Sequence, residues 1–122
     1  MDERIEKWLY DICFAIEEIE TFLKAAGRTF TDFRKNLMFK RATERNLEII
    51  GEATKRILSK DATIEIENAR QIVNLRNYVI HSYDSVSEEQ IWAIVINDLP
   101  KLKKEINRLI PPQYKQQNSI TE

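Results

Sequence analysis

The groups in this chain best suited to chemistry stand around its single histidine, in the run Arg76-Asn77-Tyr78-Val79-Ile80-His81-Ser82-Tyr83. An imidazole accepts and donates a proton near neutral pH, and a guanidinium is shaped to bind a phosphate through two parallel hydrogen bonds. A phosphodiester that is attacked by the 2′-hydroxyl of RNA needs a proton carrier, a phosphate-binding cation and little else. The run therefore favours metal-independent RNA cleavage as a hypothesis.

In that hypothesis each polar group has a role. His81 is the general base for the 2′-hydroxyl or the general acid for the leaving 5′-oxygen. Arg76 holds the phosphate and stabilises charge on its non-bridging oxygens, and Asn77 orients the imidazole or the phosphate. On a helix, Asn77 and His81 share a face because they are four residues apart, and the long side chain of Arg76 can reach that face.

A subunit with one histidine cannot supply both the acid and the base through imidazole. We therefore expect a symmetric homodimer that brings two copies of Arg76 and His81 across one cleft. The plainer alternative is a histidine that only interacts with the carbonyl groups at a helix C-terminus.

Composition bounds the classes of protein that fit. The 122 residues predict one domain, and 20 acidic against 19 basic residues create no global field toward nucleic acid or membrane. One cysteine, Cys13, excludes an internal disulfide and fits a cytoplasmic protein, with a buried small side chain as its expected state. One histidine and one cysteine cannot build a zinc site, so we expect neither metal nor cofactor. No apolar run approaches the ~20 residues of a membrane span.

Hydrophobic periodicity and the scarcity of breakers, two glycines and three prolines, predict long helices. The second predicted helix, which runs to Leu58, includes Leu37 in its apolar stripe and places Gly51 where two helices pack closely. We predict an all-α, four- to five-helix up-and-down bundle over residues 1–110 and a mobile polar tail over 111–122. The expected helices are Asp2–Ala26, Thr31 or Asp32 to Leu58, Ile66–His81, and a fourth that begins at Glu88 after a Ser87–Gln90 capping box and is interrupted by Pro100 near Asn97–Leu99.

A local excess of positive charge lies between Arg28 and Arg45. Its candidate RNA-binding residues are Arg34, Lys35, Lys40 and Arg41. Phenylalanines interleave with them at positions 30, 33 and 39, an arrangement that could steer RNA toward the cleft. The alternative is the solvated face of a helix whose phenylalanines belong to the core.

The run Arg76-Asn77-x3-His81-Ser82-Tyr83 resembles the Arg-x4-6-His motif of the HEPN superfamily, and its tyrosine matches the Arg-x4-His-x-Tyr form of the HepT-like toxins. Two further segments, 42–53 and 91–100, resemble the second and last helices of that family. The likeness extends over roughly residues 1–110.

This resemblance implies a dimeric helical bundle that acts as a ribonuclease toxin in a two-gene, type VII-like toxin–antitoxin module. The partner it implies is a minimal nucleotidyltransferase (MNT) antitoxin, which neutralises the toxin by transferring AMP to the motif tyrosine, here Tyr83. A different class of function remains open, namely a non-catalytic helical subunit that docks a nucleotidyltransferase. A third possibility is an orphan HEPN protein with another partner.

Overall fold

The computed structural model describes residues 1–74 and 88–110 of the chain, and every regular element in these two ranges is helical. The predicted all-α fold is therefore confirmed. The elements are α1 (Glu3–Ala26), α2 (Phe30–Lys35), α3 (Leu37–Lys60), a 3-10 turn (Glu67–Ala69) that leads directly into α4 (described over residues 70–74), α5 (Glu88–Ala93), a π-helical turn (Ile94–Asp98) and α6 (Leu99–Leu109).

The first helix begins one residue after the predicted Asp2 and ends at the predicted Ala26, because both of its ends are specified locally. The Asp2 carboxylate accepts a hydrogen bond from the backbone N–H of Arg4 at 2.7 Å and so caps the N-terminus. Gly27 ends the helix with φ 115° and ψ 159°, a conformation that only glycine adopts without strain. Between these ends, the stripe that includes Leu9, Ile12 and Ile16 is buried.

The predicted second helix, Thr31 or Asp32 to Leu58, is wrong as one continuous element. The helix is interrupted at Asn36, which ends α2 and caps α3 by accepting a hydrogen bond from the backbone N–H of Phe39 at 3.0 Å. Leu37 consequently lies at the first position of α3 and is 61% exposed, so its predicted place in the apolar stripe is also wrong. Gly51 is buried on α3, as expected for a site of close packing.

Two contacts show that α1 and α3 run antiparallel. Near one end, Lys60 Nζ lies 3.5 Å from the Asp2 carboxylate, and near the other end the rings of Phe22 and Phe39 stack with centroids 5.9 Å apart. The core lies between this pair and α6, which contributes the fully buried Leu102.

Aromatic side chains join the short α2 to its neighbours. Phe33 on α2 meets Phe39 on α3 edge to face with centroids 5.1 Å apart, and it lies 5.4 Å from Trp92 on α5. Pairs of this kind contribute about 0.5–1.5 kcal/mol beyond the area they bury. The start of α5 is therefore held against the start of α3.

The interruption predicted near Asn97–Leu99 takes the form of a π-helical turn. Leu99 donates its backbone N–H to the carbonyl of Ile94, five residues back, instead of four. Pro100 follows at once and has no N–H to donate. The wider turn accommodates the proline, so α5 and α6 continue without a break in helical structure.

Several predictions reach beyond these ranges. The part of the predicted helix Ile66–His81 that follows residue 74, the capping residue Ser87 and the tail 111–122 lie outside the described residues. In the two described ranges, no helix combines the length and the apolarity that crossing a membrane would require.

Candidate functional site

The four residues of the predicted reaction centre, Arg76, Asn77, His81 and Tyr83, fall in the segment 75–87 and therefore lie outside the described residues. The structure describes the elements that lead into this segment and out of it.

The chain enters the segment through the 3-10 turn and α4, whose start is fixed by a contact from α6. The Glu105 carboxylate accepts hydrogen bonds from the backbone N–H groups of Glu67 at 3.2 Å and Asn68 at 3.1 Å. The first N–H groups of a helix have no partner within it and carry partial positive charge, so a carboxylate is well suited to satisfy them. Burial of Ala69 and Ile72 adds an apolar anchor. Arg76 follows only two residues after Asn74.

An open groove lies beside the described end of α4, between it, the end of α3 and the connection that joins them. Its volume is about 470 Å³, and Thr54, Val73 and Asn74 are part of its lining. Among the described lining residues, two carboxylates, Glu65 and Glu67, lie opposite one guanidinium, that of Arg70.

The chain leaves the segment at Glu88, the first residue of α5. One carboxylate oxygen of Glu88 lies 3.6 Å from Lys40 Nζ, and the other lies 4.0 Å from Arg34 Nε. Both distances exceed those of a good hydrogen bond, so these ion pairs contribute little to stability. These ion pairs show that basic residues of α2 and α3 lie near Glu88, directly after segment 75–87.

The structure brings the predicted RNA-binding residues Arg34 and Lys40 together around Glu88, and it leaves Lys35 and Arg41 exposed on the same two helices. It separates the phenylalanines from them. Phe33 and Phe39 are fully buried, so the interpretation of these rings as core is confirmed and they offer no surface to a base. Phe30 is half-buried.

Sequence reasoning missed two features of this region. One is the exposed pair Leu37 and Met38 at the start of α3, which would have been found by reading Asn36 as a cap for Phe39, three residues later. The other is the role of Glu105, which lies 37 residues from Asn68 along the chain and has no local signal.

Cys13 behaves as predicted for a structural cysteine. Its burial, followed by the neighbouring Glu17 carboxylate, raises the pKa of the Cys13 thiol to about 11. The thiol donates to Glu17 Oε1 at a sulfur–oxygen distance of 3.6 Å. Because the thiolate is the reactive form of cysteine, this neutral thiol is a poor nucleophile.

Within residues 1–74 and 88–110, no three His, Cys, Asp or Glu side chains are grouped to hold a metal ion, and His81 lies outside these ranges.

The described ranges form an all-helical bundle, and the sequence between them carries the arginine–histidine–tyrosine motif. Comparison with known proteins identifies the family. The family model described as "Ribonuclease HepT-like" matches residues 12–109, a range that includes the whole motif. The chain belongs to this HepT-like ribonuclease family.

Similar proteins carry names that agree with this family. The chain is 36% identical to "Putative RNase MJ1380" of Methanocaldococcus jannaschii over 104 residues, which cover 84% of this chain and 93% of that protein. It is also 36% identical to "Probable ribonuclease HepT" of Thermococcus cleftensis over 103 residues, or 84% and 92% of the two chains. No solved structure matches.

Proposed function

We propose that this protein is a metal-independent endoribonuclease and the toxin of a type VII-like toxin–antitoxin module. The observation that carries the proposal is that the family match spans residues 12–109 and thereby includes Arg76, Asn77, His81 and Tyr83 in their motif spacing. The names of the similar proteins support the ribonuclease part of the proposal.

In the proposed reaction, the 2′-oxygen of a ribonucleotide attacks the adjacent phosphorus and the bond from phosphorus to the 5′-oxygen breaks. One His81 accepts the proton of the 2′-hydroxyl, and a second His81, from the other subunit of a homodimer, donates a proton to the leaving 5′-oxygen. Arg76 stabilises the charge that develops on the phosphate, with Asn77 assisting. The products are a 2′,3′-cyclic phosphate and a 5′-hydroxyl.

The four basic residues of α2 and α3 are proposed to raise the local concentration of RNA at this centre. Arg34 and Lys40 lie beside Glu88, and His81 precedes Glu88 by seven residues. Lys35 and Arg41 are exposed on the same two helices, and the field of the four cations acts on any anion that approaches this end of the bundle.

Regulation is proposed to act through Tyr83. An MNT-type nucleotidyltransferase transfers AMP from ATP to the tyrosine hydroxyl, which loses its proton as pyrophosphate leaves. The added phosphate then occupies Arg76 and competes with the phosphate of RNA. The modified protein loses activity because the negative phosphate occupies the site on Arg76 that the RNA phosphate needs.

The decisive experiment measures cleavage of a short RNA by the purified protein in the presence of EDTA, with identification of the product ends. We expect cleavage that is at least about 10²-fold slower in His81→Ala, while a substrate with one 2′-deoxy position is left intact at that position. Equal activity of the folded variant would refute the enzyme and favour the non-catalytic subunit.

Two further measurements test the assembly and the partner. If each cleft uses two imidazoles, an excess of His81→Ala subunits should lower the RNA-cleavage activity per wild-type subunit, because mixed dimers form. If the subunits act independently, that activity should stay constant. Coexpression with the nucleotidyltransferase encoded beside it should add the mass of AMP units to the wild type and none to Tyr83→Phe. Absence of such a neighbour would favour the orphan alternative.

A further inference from the structure

Two large apolar side chains are presented to solvent next to each other at the start of α3. Leu37 is 61% exposed and Met38 is 74% exposed. Single exposed apolar residues are common, whereas contiguous apolar patches with a polar rim mark interaction surfaces. This backbone is fixed, because Asn36 caps the helix through the N–H of Phe39 at 3.0 Å and Phe39 itself is fully buried.

Positive charge surrounds this apolar pair and is offset in part by Glu88, which lies near Arg34 and Lys40. Arg34 and Lys35 precede it and Lys40 and Arg41 follow it, and between Arg28 and Arg45 the chain carries six basic residues against two acidic ones. One of those acids is already engaged within α2, where the Asp32 carboxylate accepts the N–H and hydroxyl of Thr29. We call Leu37, Met38 and these four basic residues the α3 tip.

The chemistry of the α3 tip selects among three kinds of occupant. Single-stranded RNA binds through aromatic faces as well as charge, but Phe33 and Phe39 are buried and Leu37 and Met38 have no ring on which a base could stack. A second copy of the chain, placed tip against tip, would bring like charges together. A folded partner with an apolar recess inside an acidic rim complements both parts of the surface.

The position of the α3 tip fits one such partner. Arg34 and Lys40 contact Glu88, and Tyr83 precedes Glu88 by five residues, a separation that a chain spans in at most about 18 Å. An enzyme that modifies Tyr83 must bind the protein within its own radius of that residue.

We infer that the α3 tip is the docking surface for the nucleotidyltransferase that modifies Tyr83, an inference that rests on the proposed function. The partner's recess receives Leu37 and Met38, and its acidic rim meets the basic residues. Docking there also covers the cations that would otherwise attract RNA.

The test measures the affinity of the purified nucleotidyltransferase for the full-length protein by calorimetry, together with the rate of AMP transfer to Tyr83. In the double variant Leu37→Ser/Met38→Ser we expect at least about tenfold weaker binding, with unchanged helicity and unchanged cleavage of RNA. Phe14→Ser is the matched control, since Phe14 is an exposed apolar residue on α1 at 58%, and it should bind as the wild type does.

The basic residues of the α3 tip are tested separately, through the rate at which the partner associates. Arg34→Glu/Lys35→Glu should slow association and flatten its dependence on salt, because rim charges act mainly on the rate of encounter. Lys55→Glu, an exposed lysine farther along α3, is the control and should change neither.

Three results would overturn the inference. If the wild type is bound and modified but the Leu37→Ser/Met38→Ser variant behaves identically, the docking surface is elsewhere and the proposed function stands. If that variant loses RNA cleavage or self-association while partner binding persists, the tip serves RNA or a second copy. If the wild type is neither bound nor modified, the proposed regulation fails and this inference fails with it.

Discussion

Replacing Glu105 by alanine tests whether the start of α4 is held in place by one side chain of α6. The change removes the acceptor of two backbone hydrogen bonds, from Glu67 and Asn68, at 3.2 and 3.1 Å. A hydrogen bond to a charged group stabilises a protein by about 1.5–3 kcal/mol when well shielded. Here the N–H of Glu67 is exposed and that of Asn68 only partly buried, so we expect a total loss of about 1.5 kcal/mol.

Glutamine at position 105 gives a sharper version of the test. Its side chain has nearly the same shape, but one of the two acceptor oxygens becomes an NH₂ group that faces a backbone N–H. Glu105→Gln should therefore cost nearly as much as Glu105→Ala, although it fills the same space. Glu48→Ala, which removes an exposed carboxylate from α3, serves as the control and should cost less than about 0.5 kcal/mol.

The assay combines urea unfolding with amide hydrogen exchange. Both position-105 variants should lower the unfolding midpoint without changing the slope, and the amides of Glu67 and Asn68 should exchange faster than in the wild type. RNA cleavage should fall as well, since the same turn leads to Arg76. Unchanged exchange at both amides would refute the role assigned to Glu105, whatever the change in overall stability.

Three further predictions concern residues away from the motif. Thr43→Val should stabilise the protein by about 1 kcal/mol in urea unfolding, because the buried Thr43 hydroxyl has no hydrogen-bond partner among the described residues and the methyl group fills its place; a loss of stability would mean that the hydroxyl is satisfied. Gly27→Ala should cost at least about 2 kcal/mol by the same measurement, because φ there is 115° and an added Cβ would overlap the Asp32 carboxyl group. Cys13 should react with iodoacetamide at pH 8 far more slowly in the native protein than in urea. Since folding raises the pKa of Cys13 from 9.0 to about 11, its thiol contributes its full stabilisation below pH 9 and loses it as the pH rises toward 11. Cys13→Ala should reduce this loss of stability at alkaline pH. An equally steep loss in the variant would show that the Cys13 thiol is not its cause.

The sequence predicted the long helices well where their determinants are local. The apolar stripe of α1, its Asp2 cap and its Gly27 end each depend on residues only a few positions away, and the structure has the helix within one residue of its predicted bounds. The same holds for the disturbance before Pro100, because a missing N–H has a fixed local consequence.

Prediction failed at Asn36 because that residue has two compatible roles. Asparagine is tolerated within a helix and is also a strong N-cap. Burial of Phe33 against Phe39 and Trp92 favours the second role, because these ring contacts are made by an α2 that ends at Asn36. Such a contact depends on α5, more than fifty residues later in the chain, and no local pattern contains it.

The motif is proposed from local information alone, namely the residue types and the spacing of Arg76, His81 and Tyr83. The contacts that hold the elements before and after this segment are tertiary. Glu105 fixes the element that precedes it, and Phe33, through Trp92, fixes the element that follows it. Changes at these two anchors alter neither the histidine nor the arginine. They should therefore lower turnover of RNA without shifting its pH profile, and a shifted profile in Glu105→Gln would show that the anchor contributes to proton transfer itself.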